Sequence, residues 1–196
     1  MKKCLMLDVD GVLVHPQNGR SWADDMKQDL GIDPDRLTAE FFDVHWREVI
    51  LGRKKLESAL QACLPGLSAT VTAKDFMAYW FERDSAVDAA VLDDLCCLKN
   101  RGLSIYLATN QEHQRACYLM DAMGLAAHVD GIVYSAALGV KKPSDDFFAH
   151  AETKTGFSAN EIVFVDDSKA NIDAAFARGW TAFHWTGEER LIDLIV

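Results

Sequence analysis

Five short apolar runs, separated in the second half of the chain by helix-length amphipathic stretches, limit the folds open to this sequence more than any other feature. The runs are Cys4–Val9, Ser104–Ala108, Gly131–Tyr134, Ile162–Val165 and Thr181–Trp185, all of strand length and mostly rich in branched residues. Between and after the later ones, Ala86–Asn100, Gln111–Met123, Asp145–Lys154 and Ala170–Arg178 carry apolar residues at helical spacing. Gly102, Gly124, Gly156 and Gly179 fall where such helices should end, and Ser144 is placed to cap the third. Strands that alternate with helices must be joined by right-handed crossovers, which gives a parallel sheet covered on both faces. The expectation is an α/β fold with a Rossmann-like parallel sheet.

The stretch from His15 to Ser85 departs from this rhythm. It has no convincing strand but four helical patterns, Trp22–Leu30, Leu37–Leu51, Lys55–Cys63 and Ala73–Phe81. Breaks are expected at Gly31-Ile32-Asp33-Pro34, Gly52 and Pro65-Gly66. This reads as a helical bundle inserted after the first strand. The expected division is an α/β core of residues 1–14 and 86–196 and a helical unit of residues 15–85. Trp22, Trp46 and Trp80 fall in the insertion, where packing is the expected role of a tryptophan.

With 196 residues, 49% hydrophobic and 26% charged, the chain can bury a full core. Its net charge of −10 works against nucleic-acid or anionic-membrane binding, both of which need a basic surface. No segment approaches the roughly 18 apolar residues of a membrane span. Met1-Lys2-Lys3 resembles the start of a signal peptide, but Asp8 interrupts the apolar run too early. Five cysteines without C-x-x-C spacing support neither zinc nor a disulfide framework, and Cys4, Cys63 and Cys117 are expected as reduced core residues. A cytoplasmic location follows as the expectation.

In an open parallel sheet, ligands bind beyond the carboxyl ends of the strands. The first strand ends in Asp8-Val9-Asp10-Gly11. Two acids two residues apart face the same side of extended chain, and the glycine lets the backbone turn sharply. Such a pair needs a cation or a shared proton, and magnesium, an oxygen-seeking ion, suits it. Taken alone, the tetrapeptide fits a polar turn equally well. Other strand ends add Thr109-Asn110, Ser135 and Asp166-Asp167-Ser168, with Lys141-Lys142-Pro143 in a loop. Carboxylates for a divalent cation, a hydroxyl and amides for phosphate, and a lysine for its charge are the components of phosphoryl transfer.

At these four places the sequence resembles the haloacid dehalogenase-like hydrolases. Asp8-Val9-Asp10-Gly11-Val12-Leu13 matches their first motif and Leu107-Ala108-Thr109-Asn110 the second. Val140-Lys141-Lys142-Pro143 matches the third and Asp166-Asp167-Ser168 the fourth. The resemblance implies that the helical insertion is a mobile cap. It also implies that Asp8 is a nucleophile forming an aspartyl-phosphate, and Asp10 a general acid and base. Magnesium would be held by Asp8, the Asp10 carbonyl and Asp167, with Asp166 contributing through water. Thr109 and the Asn110 amide would bind phosphate, and Lys142 would pair with phosphate and Asp8. Lys142, which directly precedes the proline, is preferred over Lys141. Many relatives carry a further acid four residues after the metal-binding aspartate, where this chain has Asn171.

Asp10 separates readings within that family. Dehalogenases need no acid there, because halide leaves without a proton. Phosphonatases use a cap lysine instead, a part that Lys54 or Lys55 could imitate. The expected activity is hydrolysis of a phosphomonoester of a small metabolite, a sugar phosphate or nucleotide monophosphate. A phosphomutase of the β-phosphoglucomutase type and a non-catalytic phosphate-binding protein are the alternatives. The segment Trp46–Gly52 resembles that of glucose-1-phosphate phosphatases, and Arg20, Trp46, Arg47 and Arg53 are candidate substrate contacts.

Overall fold

The computed structural model describes residues 2–195. The chain enters through β1 (Cys4–Leu7), which is buried along its whole length. After a tight turn, β2 (Val14–His15) leads into the helical insertion. There, α1 (Met26–Leu30) is followed by α2 (Pro34–Leu37), which continues through a π-wound stretch, Thr38–Trp46, into α3 (Arg47–Ile50). Next come α4 (Leu56–Leu67) and α5 (Ala73–Arg83). The return strand β3 (Ala86–Val87) pairs antiparallel with β2, Val14 opposite Val87, so the entry and exit of the insertion are tied together.

From there strands and helices alternate. They are α6 (Ala89–Asn100), β4 (Ser104–Thr109), α7 (His113–Cys117), β5 (Gly131–Tyr134) and α8 (Ser135–Leu138). These are followed by α9 (Asp145–Thr155), β6 (Ile162–Asp166), α10 (Lys169–Ala177), β7 (Thr181–His184) and α11 (Leu191–Leu194). The sheet order is β5-β4-β1-β6-β7, with every pair parallel. Crossovers on both sides of β1 put its carboxyl end at the middle of the sheet, where open α/β folds bind ligands.

Side chains two apart along a strand share a face, and the core follows that rule. Leu5, Leu7, Ile105, Leu107, Val163 and Val165 build one apolar layer with α6 and α11. Cys4, Met6, Ala108, Ile162 and Phe164 build the other with Phe147, Phe148 and Trp180. The insertion has a third core of its own, in which Phe41, Leu60 and Phe76 are fully buried.

Several local expectations change. β1 stops at Leu7 instead of Val9, because the Val9 carbonyl accepts the amides of Leu13 and Val14 and so turns the chain. Val14–His15 and Ala86–Val87 form a ribbon where helix or coil was expected. Helix α4 runs through Pro65, in its last turn. The lost donor costs one hydrogen bond, while Leu64 and Leu67 stay buried. Ser144 sits at the start of α9 without a capping bond from its hydroxyl. Gly156 ends α9 at φ 78°, as its spacing implied. Cys4 and Cys63 are buried, but Cys117 is exposed on α7. No helix among the described residues is long and apolar enough to cross a membrane.

Candidate active site

Lys142 organises the site. It is fully buried, and its ammonium donates to Asp8 Oδ1 at 2.8 Å, Asp166 Oδ2 at 2.6 Å and the Ala108 carbonyl at 2.7 Å. Three donors meet three acceptors, so the charge is matched within the protein. Burial pushes the ammonium down, but the Asp8 and Asp166 carboxylates outweigh it and hold it above the ordinary lysine value. The loop that carries Lys142 is held by Asn110, whose Oδ1 accepts the Lys142 amide at 2.8 Å while its Nδ2 donates to the Lys142 carbonyl at 3.1 Å. Lys141, its neighbour, is exposed.

Asp8 lies just past β1, where its amide still donates to the Val165 carbonyl. Its Oδ1 accepts from the Val9 amide as well as from Lys142, which fixes the carboxylate. Burial pushes the Asp8 carboxyl up to about 7, against Lys142 and with the help of Asp166. Asp166, fully buried at the end of β6, accepts from the Ser168 amide, from Asn171 Nδ2 and from Lys142. Asn171 therefore braces Asp166. Asp167, the next residue, is exposed, and His184 Nε2 reaches its carbonyl at 2.8 Å. A carbonyl only accepts, so that nitrogen carries the proton.

One oxygen from each of Asp8, Asp166 and Asp167 lies within 4.8 Å of the others. Gly11, at φ 80°, makes room for this cluster, since a Cβ there would collide with the Asp167 carboxylate. An all-oxygen donor set of this kind matches the preference of magnesium or calcium. Asp10 faces the same region. Burial pushes its carboxyl up to about 6, opposed by Arg115. Its Oδ2 accepts from Gln111 Nε2, whereas Oδ1 is a buried oxygen without a hydrogen-bond partner among the described residues. Thr109 closes the end of β4 and is buried.

The structure thus gathers Asp8, Asp10, Asp166, Asp167, Thr109, Asn110 and Lys142 at the ends of β1, β4 and β6. Three of the four candidate substrate contacts are engaged elsewhere. Arg20 pairs with Asp25 at 2.8 Å, Arg53 faces Glu48 at 3.4 Å, and Trp46 packs on Phe42 and Trp80. Arg47 is exposed on α3. Lys54 meets His45 Nδ1 at 3.2 Å, within the insertion, and Lys55 is exposed. Sequence reasoning missed Gln111, Arg115 and the bracing roles of Asn110 and Asn171. Gln111 had a signal, since it stands two residues beyond Thr109 and can share its side. Arg115 had none, because its burial is created by the insertion.

A family model described as haloacid dehalogenase-like hydrolase matches residues 2–179. The chain belongs to the haloacid dehalogenase-like hydrolases. Among curated members, it is 26% identical over 183 residues to a phosphoglycolate phosphatase of Pseudomonas fluorescens, covering 91% of this chain and 67% of that one. It is 34% identical over 99 residues to the sesquiterpene phosphatase astK of Aspergillus oryzae, and the match spans half of each chain. Both relatives are phosphatases by name, and the chain spans only half the length of the second. The fold is shared with a haloacid dehalogenase-family enzyme, bt-2542 of Bacteroides thetaiotaomicron, crystallised with magnesium and inorganic phosphate. That match has a TM-score of 0.84 at 17% identity and covers 100% of both chains.

Proposed function

We propose that this hydrolase is a magnesium-dependent phosphomonoesterase acting on a small phosphorylated metabolite, with Asp8 as nucleophile. The observation that carries the reading is the Lys142 contact to Asp8, set beside the Asp8, Asp166 and Asp167 oxygens. It supplies a fixed carboxylate nucleophile, a buried positive charge and oxygen ligands for a cation in one place. The named relatives, phosphatases both, support the same class.

Asp8, with one oxygen held by Lys142 and the Val9 amide, would attack phosphorus through the other. The ester P–O bond breaks as the Asp8–phosphorus bond forms. Asp10 gives its proton to the departing alkoxide and later takes one from the water that cleaves the aspartyl-phosphate. Thr109 and the Asn110 amide would hold phosphate oxygens at the end of β4. Magnesium would be held by Asp8, Asp167 and the Asp10 carbonyl, and would supply charge neutralisation between nucleophile and phosphate. Asp166 fits a different part, since its oxygens already accept from Lys142, Asn171 and Ser168. Its place is to orient Lys142, with any contribution to the cation made through water. Residues 15–85 would act as the cap that shields this chemistry from bulk water.

The test is phosphate release from 4-nitrophenyl phosphate with and without magnesium, followed by a panel of sugar phosphates, nucleotide monophosphates and phosphoglycolate. Metal-dependent turnover that disappears in Asp8→Asn is expected. Turnover that survives Asp8→Asn would remove the nucleophile. A protein that binds phosphate without turnover would be the non-catalytic alternative.

A further inference from the structure

We propose that Gln111 is the positioning residue of the acid/base carboxylate, orienting Asp10 so that one of its oxygens faces the leaving group. The proposal rests on the reading of Asp10 given above. Gln111 is 6% exposed, and its side-chain amide donates to Asp10 Oδ2. An ionised carboxylate only accepts, so the NH2 end of the amide is the end that meets it. The other carboxylate oxygen, Oδ1, is buried and has no partner in the described residues. Buried carboxylate oxygens are normally hydrogen-bonded, and the exceptions call for a functional account. With Oδ2 tied and Oδ1 free, the two oxygens of Asp10 are no longer equivalent. Oδ1 is the one left to carry a proton to the alkoxide.

Gln111 can orient another group because it is itself held. Its backbone carbonyl accepts from the Ala136 amide at 3.1 Å and lies 3.1 Å from the Ser135 hydroxyl. The single Ser135 hydroxyl proton goes to the nearer acceptor, the Ile50 carbonyl of the insertion at 2.7 Å. The residues that follow Gln111 are equally fixed. Glu112 accepts from the Gln114 amide at 2.8 Å and from the Arg115 amide. Arg115, buried on α7, donates to the Phe81 carbonyl at 3.1 Å and to the Asp84 carbonyl at the end of the insertion. Gln111 therefore begins a segment braced on the middle of the insertion, at Ile50, and on its exit side, at Phe81 and Asp84, and its side chain ends on Asp10.

In the first displacement, the bond from the Asp8 oxygen to phosphorus forms and the phosphorus–alkoxide bond breaks. The electron pair goes to the leaving oxygen, and the Asp10 proton follows it. Asp10 ends as a carboxylate with Gln111 donating to Oδ2. This assistance matters most for a basic leaving group. The experiment therefore measures the burst of phenol release, which reports the first displacement alone, for phenyl phosphate and 4-nitrophenyl phosphate with magnesium present. The two esters are nearly the same size and differ in how strongly the leaving oxygen needs a proton.

Gln111→Met keeps the length of the side chain and removes the donor. It should slow phenyl phosphate at least ~10-fold more than 4-nitrophenyl phosphate, part of the ~100-fold or more that acid catalysis contributes. Gln111→Asn, too short to span the same gap, should show the same bias and serves if the methionine variant does not fold. Asp10→Asn should show a larger bias of the same sign. If Asp10→Asn shows the bias and both Gln111 variants slow the two esters equally or not at all, the role of Gln111 is refuted while that of Asp10 stands. If Asp10→Asn shows no bias, the acid/base reading fails, and the proposal for Gln111 fails with it.

Discussion

Replacing Lys142 by Met removes the cation that lies between Asp8 and Asp166, and the size of the effect follows from their burial. The ammonium contacts both carboxylates within 2.8 Å, and its loss leaves two buried acids facing each other. Breaking a buried pair by removing one partner costs about 3–5 kcal/mol. Proton uptake limits that cost, since a carboxylate can be neutralised for about 1.4 kcal/mol per pH unit above an unfolded value of about 3.9. The ceiling per acid is then about 1.5 kcal/mol at pH 5 and about 5.6 kcal/mol at pH 8. Asn171 and the Ser168 amide still serve Asp166, which keeps the total below two full ceilings. Urea unfolding in chelator should therefore show Lys142→Met destabilised by ~3–5 kcal/mol at pH 8 and by ~1–2 kcal/mol at pH 5. The parent chain should move in the same sense more gently. Asp8 is raised to about 7 in the folded state, so its contribution is largest below the unfolded value and declines as pH rises towards 7. A destabilisation under ~1 kcal/mol at pH 8, or one that grows on acidification, would refute the account of Lys142 as the balancing charge.

Three shorter predictions use the same site. Because burial raises both Asp8 and Asp167, magnesium must displace protons, and its affinity by titration calorimetry should fall up to ~10-fold per pH unit below about 7; equal affinity at pH 6 and pH 8 would contradict this. Gly11→Ala places a side chain at φ 80° against Asp167, which should cost ~1–3 kcal/mol and abolish the thermal stabilisation given by magnesium; a variant that gains as much from the metal as the parent would show the cradle to be unnecessary. Ser135→Ala removes the buried hydroxyl that donates to the Ile50 carbonyl, which should cost ~1–2 kcal/mol and speed amide exchange around residues 50–53; unchanged exchange there would place the docking energy elsewhere.

The sheet was legible because its signal is local. Leu5 and Leu7 on one face and Cys4 and Met6 on the other follow from a period of two, and Gly156 ends α9 where its spacing implied. Asp8, Asp10, Thr109 and Asp167 were legible for a related reason, since polar residues at strand ends converge once the sheet is parallel. What was illegible depends on contacts between distant segments. Asn110 looks like one more strand-end residue until its side chain closes on the Lys142 backbone, 32 residues away. Asn171 looked like a missing acid, and its position is used instead to hold Asp166. Cys117 looked apolar by its neighbours, yet the face of α7 that carries it is exposed.

These long-range contacts share a direction. Asn110 holds the Lys142 backbone, Lys142 holds Asp8 and Asp166, and Asn171 holds Asp166 from the other side. Asp8 is thus fixed by the α/β core alone, with no residue of the insertion among its partners. Asp10 stands differently. Its partner Gln111 lies in the segment that also contacts the insertion through Arg115 and, by way of Ser135, through Ile50. If the insertion moves, Asp8 should keep its geometry while Asp10 loses its own. That division suits the proposed chemistry, in which Asp8 attacks phosphorus in a fixed line and Asp10 releases its proton only when the leaving group is enclosed.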